Sequence, residues 1–307
     1  GRDWSSDVCS SISCVMNRTI ATGGEIVMLP KFDVNEALKA ITDKKPTIFA
    51  GVPTIYSALT KALGAPGAEK YDISSLDICI SGGAPLSPET LKAFKEKTGI
   101  DLLEGYGLSE SSAAAVANPV NGEKRPGSIG LPLPGTQVRL GSSLPDANTP
   151  VSYEGEICLR GPQVMKGYWQ RPEETTKVID ADGWLHTGDM ARMDDHGYFY
   201  IVDRKKDMIL VSGFNVYPNE VEDVIAMMPG VLEVAAIGVP DDKSGEAVKV
   251  FVVKKDETLT AEQIKAFCRE NLTGYKQPRH VEFRTELPKS NVGKILRKEL
   301  RDPPAAA

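Results

Sequence analysis

The chain has 307 residues, 41% hydrophobic and 25% charged, the composition of an ordinary globular protein with room for a large core and, by length, two domains. A formal net charge of −6, from 36 basic and 42 acidic residues, gives no support to a nucleic-acid partner, and no apolar run approaches the roughly 20 residues that span a bilayer. Five scattered cysteines without metal-ligand spacing fit reduced thiols in a cytoplasmic protein better than a disulfide framework.

Residues 1–11, GRDWSSDVCSS, have neither the apolar core of a signal peptide nor an amphipathic period, and are expected to be a non-native segment. From Ile20 to Gly107 short apolar strands alternate with helical stretches. Strands are predicted at Glu25–Leu29, ended by Pro30, at Thr47–Ala50, at Ile78–Ile80 and at Leu102–Leu103. Helices are predicted at Val34–Asp43, at Thr54–Leu63, and at Pro88–Thr98 with Ser87 as N-cap and Pro88 in the first position. Such alternation implies a parallel sheet with helices on its faces, and ligands at the carboxyl ends of its strands. Two loops stand at those ends, SGGAP over 81–85 and EGYGLSE over 104–110.

From Gly127 to Val202 the pattern changes to short β segments split by Gly and Pro, at 128–130, 137–140 and 155–160, which predicts a small antiparallel sheet or barrel. A short helix is expected to start at Pro172–Thr176. Tyr198–Val202 alternates as a half-buried strand, then a charged knot, Asp203-Arg204-Lys205-Lys206-Asp207, leads to the apolar run Met208–Val211 and a turn at Ser212-Gly213. Charges packed between two strand signals suggest a junction between folded units. Beyond it the pattern predicts a compact α+β unit: helix Asn219–Met227, strands Val231–Val239 and Val248–Val253, helix Ala261–Asn271 capped by Thr260, strand Val281–Phe283 and a last helix Lys294–Leu300. Residues 302–307 read as a tail.

Several residue patterns bear on chemistry without further context. Gly82 and Gly83 let a backbone approach a flat ligand closely, although they equally suit a tight strand-to-helix turn. The second loop offers the ring of Tyr106 between Gly105 and Gly107, the hydroxyl of Ser109 and the carboxylate of Glu110. Exposed amides and a hydroxyl suit a phosphate, and a carboxylate suits Mg²⁺. Read structurally, Ser109 caps a following helix and Glu110 favours its dipole. Asp189 is either a turn aspartate or a carboxylate that grips ribose hydroxyls, as in dinucleotide-binding folds. The planar fork of Arg204, beside a turn, suits a diol or phosphate. His186 has no partner visible in the sequence and reads as structural. With three widely spaced histidines and no Ser–His or Cys–His pair, a triad hydrolase is not supported.

Three blocks, GWLHTGD at 183–189, YIVDRKKDMILVSGFNVYP at 200–218 and PKSNVGKIL at 288–296, resemble the signature blocks of acyl-adenylate-forming enzymes. Their wording is closest to bacterial long-chain fatty-acid–CoA ligases, the AMP-forming acyl-CoA synthetases, and the likeness runs from about Ile20 to Arg301 in the expected order. The resemblance implies an α/β fold: part of a large AMP-binding domain over 12–202, with a parallel α/β layer and a small β-barrel-like subdomain, then a small mobile α+β domain over 203–301. It implies that ATP and a long-chain fatty acid give acyl-adenylate and pyrophosphate, after which CoA takes the acyl group and AMP leaves. It places Gly82, Gly83, Ala84 and Pro85 beside adenine, counts Gly105, Tyr106, Gly107 and Ile201 among the nucleotide-binding residues, and gives Ser109 and Glu110 catalytic roles, with Glu110 on Mg²⁺. Asp189 is assigned to the ribose with Arg204 beside it, Lys206 to a hinge, Lys294 to the carboxylate and α-phosphate during adenylation, Gly213 and Phe214 to the pantetheine channel, and Lys205 to the CoA phosphates. The family usually has Thr where this chain has Ser109, and the hydroxyl survives that difference.

No Ser/Thr/Gly-rich loop ending in Lys, the family's cradle for the β- and γ-phosphates, precedes SGGAP. The chain is therefore expected to be the C-terminal half or more of a ligase, and to ligate poorly by itself. Two other readings stay open: a non-catalytic nucleotide- or acyl-binding remnant, and an adenylating ligase for another carboxylic acid. The implied partners are a fatty acid, ATP and CoA. Any membrane contact is expected to be peripheral, and a homodimer is allowed.

Overall fold

A computed structural model describes residues 15–141, 154–289 and 295–301. It divides into two compact units, one of 1–187 and 191–201 and one of 188–190 and 202–307. No helix among the described residues is long and apolar enough to cross a membrane.

After a short helical stretch over 15–21, the first unit continues with helix α1 (Val34–Lys44), whose N-cap Asp33 accepts from the amides of Asn35 and Glu36. Strand β1 (Ile48–Gly51), helix α2 (Pro53–Leu63), strand β2 (Ile78–Ser81), helix α3 (Pro88–Thr98) and strand β3 (Leu102–Tyr106) follow. β1, β2 and β3 pair in parallel, as strand–helix alternation requires. α3 has the predicted bounds, and the Ser87 hydroxyl accepts from Thr90 N–H. Tyr56 is fully buried in this layer, its ring edge-on to Phe49 and Phe94 and its hydroxyl within 3.0 Å of the Phe49 carbonyl and 2.9 Å of the Ile80 carbonyl. Two short antiparallel strands, β4 (Val116–Ala117) and β5 (Leu131–Pro132), extend the sheet past β3.

The strand expected at Glu25–Leu29 does not form. Met28 is 82% exposed, and without a ladder neighbour an apolar run has nothing to pair its amides with.

A second sheet, ordered β6-β7-β8-β9, comprises β6 (Gln137–Leu140), β7 (Glu154–Arg160), β8 (Leu185–Met193) and β9 (Phe199–Arg204), with β6 and β7 antiparallel. It is an open four-strand path, with helix α4 (Pro172–Val178) between β7 and β8 in sequence. Its core is built from Ile157, Leu159, Leu185, Ala191 and Phe199, with Ile201 packed against it.

The second unit is built on a sheet of β10 (Ile209–Val211), β11 (Phe214–Val216), β12 (Val231–Asp241), β13 (Gly245–Lys254) and β14 (His280–Arg284), ordered β11-β10-β13-β12 with β14 parallel to β13. The β10–β11 hairpin turns at Ser212 and Gly213, φ 52° and 85°, the double positive φ that two-residue hairpins favour. Helices α5 (Pro218–Ala226) and α6 (Ala261–Asn271) cover one face, and a capping box of Thr260 and Gln263 starts α6. Leu300 of α7 (Arg297–Arg301) packs on the other face with Ala235, Ile237 and Phe251.

The last helix starts at Arg297 and not at Lys294. Ile295 bridges to Lys289, and Leu296 N–H donates to Pro288 C=O at 2.8 Å, so the backbone is extended there. Lys294 itself lies outside the described residues, as do 1–14 and 302–307.

Candidate functional site

In the first unit the two candidate loops leave neighbouring parallel strands. SGGAP continues β2: Gly82 N–H donates to Gly51 C=O, Gly83 takes φ +80°, and Gly82, Gly83 and Ala84 are half-buried while Pro85 is exposed. EGYGLSE continues β3 and folds back on itself through Ala113 N–H to Leu108 C=O and Ala115 N–H to Tyr106 C=O. A side chain on Gly107 would meet the Ala113 carbonyl, so glycine there is dictated by the fold. A Cβ on Gly82 would stand 3.5 Å from Gly105 C=O, which brings the two loops side by side.

Ser109 begins a single 3₁₀ turn, Ser109–Ser111, and does not cap it. The Ser111 hydroxyl takes that work by accepting from Leu108 N–H at 3.0 Å, and Ser109 is exposed. Glu110 is fixed by two bonds: its carbonyl accepts from Met165 N–H, and its Oε1 accepts from the Tyr168 hydroxyl at 2.8 Å. Burial and the Glu110 charge push Tyr168 up to about 12, so it stays a donor. The second carboxylate oxygen lies outside that bond, and a hard oxygen donor on a rigid turn fits Mg²⁺.

Glu104, which opens this loop, is a residue that sequence patterning missed. It is 8% exposed; Oε1 accepts from Leu86 N–H at 3.2 Å, and Oε2 is buried without a partner among the described residues. Burial pushes it up to about 7. The signal was a charge inside an apolar strand, Leu102-Leu103-Glu104.

In the second unit Asp189 is 8% exposed, and Arg204 Nε lies 3.6 Å from its Oδ1. Gly188 takes φ +75° and its carbonyl accepts from Lys205 N–H at 2.8 Å, which holds the GD and DR blocks together. The charged knot is sorted by burial: Asp203 and Asp207 are inside, at 2% and 6% exposure, while Lys205 and Lys206 face solvent. Asp203 accepts from Arg204 N–H and from Asn219 N–H, tying the end of β9 to the start of α5. Asp207 is held by Arg301 at 2.8 Å and approached by Arg297 at 3.9 Å. Arg297 also binds Glu222 at 2.8 Å and Asn219 at 2.8 Å. Neither arginine was legible as a partner, because the pairs are separated by the whole domain in sequence. This clamp fixes α7, immediately after the 290–294 segment that carries Lys294.

Gly213 and Phe214 are exposed at the tip of the β10–β11 hairpin. Phe214 stacks on Tyr275, centroids 4.7 Å apart, a second aromatic that the sequence pattern did not single out. His186 is not solitary: Asp180, Glu156 and Cys158 surround its ring.

Comparison with known proteins agrees with both halves. Residues 8–169 match the AMP-binding enzyme family and residues 220–294 match the AMP-binding enzyme C-terminal domain. The long-chain-fatty-acid–CoA ligase of Escherichia coli O6:H1 is 51% identical over 294 residues, which cover 95% of this chain and 51% of that protein. The ligase of the same name from Bacillus subtilis is 49% identical over 290 residues, covering 94% of this chain and 51% of that one. The chain thus spans about half the length of the curated relatives it matches. Among solved structures, ATP-bound MatB from Rhodopseudomonas palustris superposes with a TM-score of 0.81 at 36% identity, covering 94% of this chain and 56% of that one. The chain belongs to the AMP-binding enzyme family.

Proposed function

We propose that this chain supplies nucleotide- and CoA-handling parts of an AMP-forming long-chain fatty-acid–CoA ligase. The observation that carries the reading is the buried Asp189 carboxylate with Arg204 at 3.6 Å, set in the two blocks where such enzymes hold ribose. A carboxylate fixed beside a guanidinium presents acceptors for two vicinal hydroxyls. Gly82–Pro85 lie along the adenine, and Ser109 with its neighbouring amides meets the phosphates. Glu110 would hold Mg²⁺, which supplies neutralisation of phosphate charge when bound. Lys294 meets the charge that gathers as the fatty carboxylate attacks the α-phosphorus, and a donor placed where charge develops lowers that barrier most. Lys206, exposed at the start of the second unit, is the hinge about which that unit turns between adenylation and thioester formation. Phe214 and Tyr275 then line the pantetheine arm, with Lys205 toward the CoA phosphates. The thiol attacks the acyl-adenylate directly, so no covalent enzyme nucleophile is needed.

The long-chain relatives at 49–51% identity favour a fatty acid over other carboxylic acids. The test is kcat/KM for acyl-CoA formation by the complete ligase over saturated acids of graded length. A maximum at long chains supports the reading; a preference for an aryl or short acid overturns the substrate assignment. A protein contact at a membrane surface would be peripheral, and lipid-vesicle sedimentation measures it.

A further inference from the structure

Outside the nucleotide-handling residues, the open sheet of the first unit gathers four groups that the sequence disperses. Glu156 and Cys158 are two apart on β7, so they project from the same face of the strand. β8 is the hydrogen-bonded neighbour and brings His186 to them. His186 Nδ1 lies 3.4 Å from Glu156 Oε2 and 3.5 Å from Cys158 Sγ, and the three ligand atoms all fall within 4.8 Å of one another. Zinc bound tetrahedrally by N, O and S holds those atoms about 3.4–3.6 Å apart, given its ordinary bond lengths.

The far side of the ring supplies the second argument. Asp180 Oδ2 is 3.3 Å from His186 Nε2 and is itself held by Arg139 at 2.9 Å. A neutral imidazole has one N–H. With that hydrogen given to Asp180, the Nδ1 lone pair faces a carboxylate oxygen and a sulfur. A carboxylate behind the other nitrogen is the usual support of a metal-bound histidine.

We propose that Glu156, Cys158 and His186 form a site for a thiophilic divalent cation of the zinc class, with Asp180 orienting the imidazole. Cys158 is fully buried, whereas the side chains of Glu156 and His186 are 12% and 25% exposed, so the ion enters from their side and keeps one position for water. A cysteine ligates as the thiolate, so binding releases a proton. Three ligands on two adjacent strands would staple β7 to β8, the strand that continues to Asp189.

The purified 307-residue chain is freed of metal with a chelator and titrated with Co²⁺, followed by absorption spectroscopy, and its zinc content after Zn²⁺ loading is measured by mass spectrometry. One Zn²⁺ per chain and a Co²⁺ spectrum with a thiolate charge-transfer band and four-coordinate visible bands are expected. Cys158→Ser abolishes the charge-transfer band, whereas Cys79→Ser and Cys268→Ser keep it. Asp180→Asn leaves all three ligands in place and weakens Zn²⁺ binding about 10–100-fold. A wild-type chain that shows only the spectrum of hydrated Co²⁺ overturns the site, however the variants fold. So does a charge-transfer band that survives in a Cys158→Ser chain with wild-type circular dichroism.

Discussion

Replacing Glu104 by Gln isolates the cost of holding a charge inside the parallel sheet. The side chain is 8% exposed, with one oxygen bonded to Leu86 N–H and the other without a partner among the described residues. Burial raises this carboxyl from its ordinary 4.5 to about 7. Between those values the folded chain keeps a proton that the unfolded chain releases, so stability falls as pH rises through this window. The contribution is fully present below about pH 4.5 and lost above about pH 7; at roughly 1.4 kcal/mol per pH unit the swing is on the order of 3 kcal/mol. Gln keeps an oxygen for Leu86 and carries no charge, so the variant should match wild type near pH 5 and exceed it by up to about 3 kcal/mol near pH 8. Trp169 and Trp184 belong to the first unit and no tryptophan occurs in the sequence after them, so urea unfolding followed by tryptophan fluorescence reads the unit that holds Glu104. A Gln variant whose stability keeps the wild-type pH slope refutes the assignment.

Further predictions concern the second unit and the reaction. Arg297→Ala leaves the half-buried Glu222 carboxylate without its guanidinium and should destabilise this unit by up to about 3–5 kcal/mol, measured as lost hydrogen-exchange protection in β12 and β13; protection unchanged within error would show the clamp to be dispensable. Lys294→Ala in the complete ligase should slow fatty-acid-dependent pyrophosphate exchange about 10²–10³-fold while sparing thioester formation from supplied acyl-adenylate; an unchanged exchange rate removes Lys294 from the mechanism. Phe214→Ala removes the ring that stacks on Tyr275, and should raise KM for CoA while leaving adenylation alone; equal effects on both half-reactions would argue against a pantetheine surface.

Much of the fold was legible because local signals agreed with tertiary packing. α3 and α6 begin and end where their caps and apolar periods predict, at Ser87 and Thr260. The Ser212-Gly213 turn follows from residues tolerant of positive φ. Glu25–Leu29 failed because strand propensity is realised only where a neighbour completes the ladder, which no local pattern reveals. The start of α7 moved because backbone pairing of Lys289 with Ile295 outcompetes the helical turn. For the candidate site, the ordered blocks supplied Asp189 and Arg204 as candidates, and the loop after a predicted strand supplied Glu110. Glu104, Tyr168, Tyr275 and the Arg297 clamp needed three dimensions, since each acts through a partner remote in sequence. The same holds for His186, whose surroundings come from two strands and a loop.

Calorimetric titration of the 307-residue chain with a non-hydrolysable long-chain acyl-adenylate is the most direct measurement. Saturable one-to-one binding that weakens at least about tenfold in Asp189→Ala, the loss of one charge-assisted contact, is the expected result. Absence of binding, or binding indifferent to Asp189→Ala, would contradict the assignment of this chain to adenylate handling.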